Sequence, residues 1–271
     1  MISDWDDAYA NAPHIADAEV FPPLWAARAA EFVSERRAAR RSQMDLAYGE
    51  GERRRLDLFL PNDAPKGLVV FVHGGFWMRF DKSLWSHLAE GPVRRGWAVA
   101  LPSYTLAPAA RVRDIGREIA AAIAFAGTRV DGPIALTGHS AGGHLAARMA
   151  CVDGPLAESV RRRLARVAPI SGLFDLRPLM KTKMNDTLGL DEAEAVAESP
   201  ALKRPQPGLV LTAWVGADER PEFLRQSDLI ANVWAGLGAA TRCLRISGCH
   251  HYDVIADLSD AESPMTTALA P

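Results

Sequence analysis

The segment PIALTGHS (133–140) constrains this chain more than any other. It is an uncharged, mostly apolar run that breaks at a glycine, and the residues after it, AGGHLAARMAC (141–151), are small and suited to a helix that packs closely. A short apolar run without polar alternation fits a strand covered on both faces. The pattern recurs along the chain. GLVVFVHGG (67–75), WAVALPSY (97–104), RVAPISGLF (166–174), GLVLTAWVG (208–216) and ATRCLRISG (240–248) read as further strands, and RRLDLFLP (54–61) alternates and stops at a proline. Helical periodicity fills the intervals at 112–126 and 222–237, and an earlier helix is read at 24–43. Repeated strand–helix alternation predicts an α/β chain with a mostly parallel sheet and helices on both faces. The expectation is one domain over 1–271, with residues 1–43 as an N-terminal helical extension and the irregular stretch 175–205 as an insertion.

Composition excludes more than it assigns. The chain has 271 residues, a formal net charge of -2 and 48% hydrophobic residues, enough apolar material for a large core. A near-neutral balance argues against a nucleic-acid partner, which asks for a basic excess. The charge run SERRAARR (34–41) reads as a solvated helix face. No apolar run approaches the length of a bilayer span, so no membrane partner is expected. The acidic start, MISDWDDAYANAP, lacks a hydrophobic targeting core, which makes the cytoplasm the expected compartment. The three cysteines, Cys151, Cys243 and Cys249, have irregular spacing and predict neither a disulfide framework nor a zinc site.

The chemistry is carried by Gly138-His139-Ser140-Ala141-Gly142 at the end of the buried strand. Glycines on either side of a serine at a strand-to-helix turn allow a sharp bend that lifts the hydroxyl above the sheet. The helix start behind it supplies amides for developing negative charge. His73-Gly74-Gly75-Phe76-Trp77 follows another buried strand and has the form of an oxyanion loop. Its expected donors are the amides of Gly75, Phe76 and Ala141. His73 is expected to brace the loop, and Trp77 to line a substrate pocket. A serine nucleophile needs a general base and an orienting carboxylate. Only His250 and His251 lie late enough to follow the last strand, and His251 is the choice because Tyr252, Val254 and Ile255 follow it as packing residues. Asp218 and Glu219 both follow the penultimate strand, and Glu219 is preferred because it stands three residues after Gly216.

With these residues placed, the chain resembles the α/β-hydrolase superfamily. Within it, the chain is similar to the kynurenine formamidase (arylformamidase) group, a neighbour of the hormone-sensitive-lipase-like esterases. HGGFW (73–77), SYTLAP (103–108), SGLFDLRPLMKTKMNDTLGLDEAEAVAESP (171–200), VGADERPEFLRQS (215–227) and YGEGERRRLDLFLP (48–61) carry the likeness, which spans about residues 44–260. In that group the acid stands two residues before a proline, which again points to Glu219, although many members have Asp there. The resemblance implies an α/β-hydrolase fold with a small cap at 175–205, and Tyr104 beside Trp77 as a substrate-binding residue. It implies a serine hydrolase of small acyl amides or esters, with N-formylkynurenine as substrate and kynurenine and formate as products. Neither cofactor nor metal is required. General short-chain esterases or thioesterases, and a silent binding protein of the same fold, are the alternatives. Homodimer formation is left open.

Overall fold

The computed structural model describes residues 2–271. Strands β1 (Ser42–Ala47), β2 (Arg55–Phe59), β3 (Leu68–Val72), β4 (Ala98–Pro102), β5 (Ile134–His139), β6 (Leu164–Ile170), β7 (Val210–Gly216) and β8 (Ala240–Ile246) form one sheet. Their order is β1-β2-β4-β3-β5-β6-β7-β8. The two pairings that involve β2 are antiparallel, and the five from β4 through β3 to β8 are parallel. The mostly parallel sheet read from the alternation is therefore present.

The apolar runs are explained by what covers them. In β3, Leu68, Val70 and Val72 join one buried cluster with residues of the helices Val112–Gly127, Ala141–Met149 and Pro221–Gly236. Val69 and Phe71 face the opposite cluster, built from Trp25 and Phe32 of the helix Phe21–Ala38 together with Trp85, Leu88, Leu258 and Met265. Successive strand side chains alternate faces, so a strand covered on both sides must be apolar at every position. Each Val or Leu so buried contributes about 1.5–3 kcal/mol.

Two expectations need adjustment. The first long helix spans Phe21–Ala38, not 24–43. Pro22 and Pro23 sit in its first turn, where a missing N–H costs nothing, and Arg40 adopts a left-handed φ of 54° that ends the helical path. Strand β1 then occupies Ser42–Ala47, with alternately half-buried and exposed residues. It is an edge strand of polar composition, so it carries none of the apolar continuity that marked the others.

Residues 175–205 run between β6 and β7 as short turns of helix, including Asn185–Leu188 and Glu192–Ala197. Their Leu176, Leu179, Leu188 and Ala195 are buried in the larger cluster. No helix among the described residues is long and apolar enough to cross a membrane.

Candidate active site

The GHSAG segment forms the turn between β5 and the helix Ala141–Met149. Ser140 sits at φ 55° and ψ -118°, a region a non-glycine residue occupies only under constraint. The constraint is visible in the packing. A Cβ on Gly142 would lie 1.9 Å from the Val72 carbonyl oxygen, and one on Gly138 would lie 2.5 Å from the Gly142 oxygen. Only glycine allows β3 and the turn to approach this closely. The Ser140 amide donates to the Ile170 carbonyl at 2.9 Å, which ties the turn to β6. The residue is 3% exposed. Its hydroxyl donates to no protein acceptor among the described residues, and such bonds commonly tighten only when substrate is bound.

The loop after β3 has an unusual backbone. Gly75, Phe76 and Trp77 all have positive φ, at 108°, 56° and 59°. Among the described residues, the amides of Gly75, Phe76 and Ala141 donate to no protein acceptor, so this arrangement offers free donors beside Ser140. His73 is buried, and its Nδ1–H donates to the Gly74 carbonyl at 2.8 Å. Burial lowers its pKa to about 4, so it is neutral near pH 7. It braces the loop.

The pocket-lining expectation for Trp77 and Tyr104 is corrected. Both rings have no exposed surface. Trp77 packs edge-on against His144 at 5.2 Å. Tyr104 stacks on His73 at 4.2 Å, and its hydroxyl donates to the His73 carbonyl at 3.0 Å. The left-handed φ of Phe76 and Trp77 leaves Phe76, not Trp77, half-buried.

His251 and Glu219 come together from the loops after β8 and β7. The His251 Nδ1–H donates to Glu219 Oε2 at 2.6 Å, with both side chains buried. Asp218 is exposed, and its amide donates to the Cys249 carbonyl. His250 is occupied by the loop itself: its amide donates to Asp253 Oδ1 at 2.8 Å, and its ring meets Phe21 edge-on. The imidazole of His251 lies 4.5 Å from that of His139, the neighbour of Ser140, which fixes the two loops against the turn. Burial, with the adjacent His251, holds the His139 pKa well below the usual histidine range.

One residue at the site escaped the sequence reading. Ser171, at φ 51° just past β6, is buried and donates its hydroxyl to Glu219 Oε1. The Gly216 amide donates to the same oxygen at 2.8 Å. Oε1 is thereby committed, and Oε2 is left for the imidazole. No signal in the sequence separates this serine from the many that follow strands.

Residues 69–268 match the alpha/beta hydrolase family. The chain belongs to that family. It is an alpha/beta hydrolase, and the sheet order and the sharp turn at Ser140 are in keeping with its fold. This alpha/beta hydrolase is 30% identical to a kynurenine formamidase of Danio rerio over 246 residues, covering 86% of this chain and 82% of that protein. A kynurenine formamidase of Drosophila melanogaster is 29% identical, covering 83% and 79%. A solved structure from Silicibacter sp. TM1040, provisionally described as a thioesterase, superposes with a TM-score of 0.94 at 45% identity over 99% of both chains. Esterase B of Lactobacillus rhamnosis superposes with a TM-score of 0.67 at 19% identity over 94% and 93%, a likeness of fold alone.

Among the described residues, no group of three His, Cys, Asp or Glu is placed to hold a metal ion. The free thiols are not activated. Burial raises the pKa of both Cys151 and Cys243 to about 12.

Proposed function

We propose that this alpha/beta hydrolase cleaves small acyl amides or esters through an acyl-enzyme on Ser140, and that an aryl formamide of the N-formylkynurenine type is its substrate. The observation that carries the mechanism is the buried 2.6 Å contact of His251 Nδ1 with Glu219 Oε2 beside the strained serine turn. Glu219 holds the proton on Nδ1, so Nε2 is left unprotonated as the base. Ser140 Oγ attacks the formyl carbon while its proton passes to His251 Nε2. The carbonyl oxygen becomes an oxyanion held by the amides of Gly75, Phe76 and Ala141. Collapse breaks the C–N bond, and the imidazolium gives its proton to the leaving arylamine. Water, deprotonated by the same imidazole, then releases formate and restores the serine. The catalytic steps call on no metal or cofactor.

The formamidase assignment is supported by the kinship with the two kynurenine formamidases over most of the chain. A thioesterase reading is favoured by a different observation, the 45% identity to the Silicibacter protein. The two separate on one panel: kcat/KM for N-formylkynurenine, p-nitrophenyl acetate and a short acyl thioester. The formamide should be the best substrate by about tenfold or more. A thioester preferred over the formamide would overturn the assignment while leaving the mechanism standing. Ser140→Ala tests the mechanism itself. Turnover of every substrate should fall by about 10⁴-fold or more, and retention of activity would remove the acyl-enzyme route.

A further inference from the structure

The amino-terminal helix Trp5–Tyr9 lies far from Ser140 in sequence, yet its contacts converge on the neighbours of the acid and the base. Asp4 caps it, accepting the Asp7 amide at 3.0 Å. Tyr9 is 1% exposed, and its hydroxyl donates to Glu222 Oε1 at 2.8 Å while accepting from Gln226 Nε2 at 3.3 Å. Its ring meets Phe223 edge-on at 6.1 Å, and the Phe223 ring in turn lies 4.5 Å from that of His251. The Gln226 carboxamide accepts the amides of Phe174 and Asp175, each at 2.8 Å, and donates to the Asp175 carbonyl at 3.0 Å. This pins the strand exit that begins at Ser171, the donor to Glu219. Asp7 pairs with Arg220, the residue after Glu219. Asp6 Oδ1 accepts the Lys183 amide at 2.7 Å, which ties the same helix to the insertion.

We propose that this helix is a strap that aligns the acid and base, with Tyr9 as its positioning residue. Tyr9 acts on His251 through Phe223, and on the acid loop through Glu222 and Gln226. Two features set this apart from ordinary surface packing. Two of its partners, Arg220 and Glu222, stand one and three residues after Glu219, and a third, Phe223, lies against the His251 ring. The Tyr9 phenol, raised in pKa by burial and by the Glu222 carboxylate, is held as a permanent donor. An imidazole displaced by a fraction of an ångström from its productive position costs rate while leaving the fold intact. The proposal rests on the Ser140–His251–Glu219 reading but not on the identity of the substrate.

The test reads the nucleophile directly, by the second-order rate at which a small fluorophosphonate labels Ser140. It is accompanied by kcat and KM on p-nitrophenyl acetate and by circular dichroism to establish that each protein is folded. Tyr9→Leu removes the donor and the edge contact. It should slow labelling by about ten- to a hundredfold and lower kcat with KM nearly unchanged. Tyr9→Phe keeps the ring against Phe223 but loses the donor to Glu222, and should label at a rate between those of Tyr9→Leu and the wild type, severalfold below the latter. A folded Tyr9→Leu protein that labels as fast as the wild type, with only its melting temperature lowered, would show a purely structural helix. A rise in KM with kcat intact would make the strap a substrate wall. If Tyr9→Leu does not fold, Asp7→Asn and Tyr9→Phe decide the matter, since both leave the packing in place. A severalfold slower labelling in either supports alignment, and unchanged rates in both overturn it. A wild-type chain that the probe does not label would remove the serine reading, and the strap with it.

Discussion

The two halves of the candidate site are built in opposite ways. The nucleophile half is local: Gly138 to Gly142 is one continuous turn, and the loop His73–Trp77 follows the adjacent strand β3. Its geometry is enforced by backbone, because the Val72 carbonyl leaves no room for a side chain on Gly142. The acid–base half is assembled. Ser171, Gly216, Glu219, Phe223 and His251 come from the ends of three strands and from a helix, and Tyr9 reaches the same cluster from the chain's start. A half made of backbone tolerates no insertion of volume. A half made of side-chain hydrogen bonds fails by degrees, one donor at a time.

The sharpest break in that comparison is at Glu219. Glu219→Gln keeps the shape but can present an amide N–H where the imidazole needs an acceptor, which favours the wrong tautomer. Turnover should drop by about 10³–10⁴-fold. Asp218→Asn should stay close to wild type, since Asp218 is exposed and the acid contact is made by its neighbour. Steady-state kinetics of the two variants on one ester checks this. A large loss only in Asp218→Asn would reverse the assignment.

A smaller loss is expected at Ser171. Ser171→Ala leaves Glu219 Oε1 with the Gly216 amide alone. Losing one hydrogen bond to a carboxylate is worth about 1.5–3 kcal/mol, so kcat should fall about ten- to a hundredfold if most of that energy fixes the carboxylate's orientation. Ser171→Thr keeps the hydroxyl and should recover part of the activity, provided the β-branched residue tolerates the φ of 51°. Equal kcat for wild type and Ser171→Ala would show that the Gly216 amide suffices.

The same contrast explains what was readable in the sequence. The elbow was legible because its signals are contiguous: an apolar strand, a glycine, a serine, a run of small residues. The pairing of Glu219 with His251 was legible through the distance of Glu219 from Gly216 and from Pro221. Ser171 was not, because a serine after a strand has no distinguishing neighbour and its partner lies 48 positions away. Tyr9 sits in an acidic segment whose packing partners are fixed only by the tertiary fold. Trp77 and Tyr104 misled for a related reason. An aromatic residue beside an oxyanion loop can face either the ligand or the core, and here both support the loop from within. The edge strand β1 was missed because half of its residues face solvent.

The effect expected to be smallest on rate falls on the nucleophile half, where it is read in stability instead. His73 and His144 are buried imidazoles whose pKa values burial lowers from 6.5 to about 4, and His139 is held well below 6.5. His144 donates from Nε2 to the Glu198 carbonyl at 2.7 Å and lies near the Arg148 cation, so a second proton has nowhere favourable to go. The unfolded chain binds protons at these positions below about pH 6.5, whereas the native chain does not until the pH approaches the folded values. Stability is therefore full above about pH 6.5 and falls as the pH drops towards about 4, by on the order of a few kcal/mol for each of His73 and His144, with His139 acting in the same direction. Urea unfolding at near-neutral pH, about pH 5.5 and about pH 4.5 measures this slope. His144→Gln can retain a donor to the carbonyl but cannot titrate. It should be less stable than wild type at neutral pH, through altered packing against Trp77, and should lose less on acidification. A variant with the wild-type slope would place the acid sensitivity elsewhere, and the backbone-built half would then owe nothing to its neutral histidines.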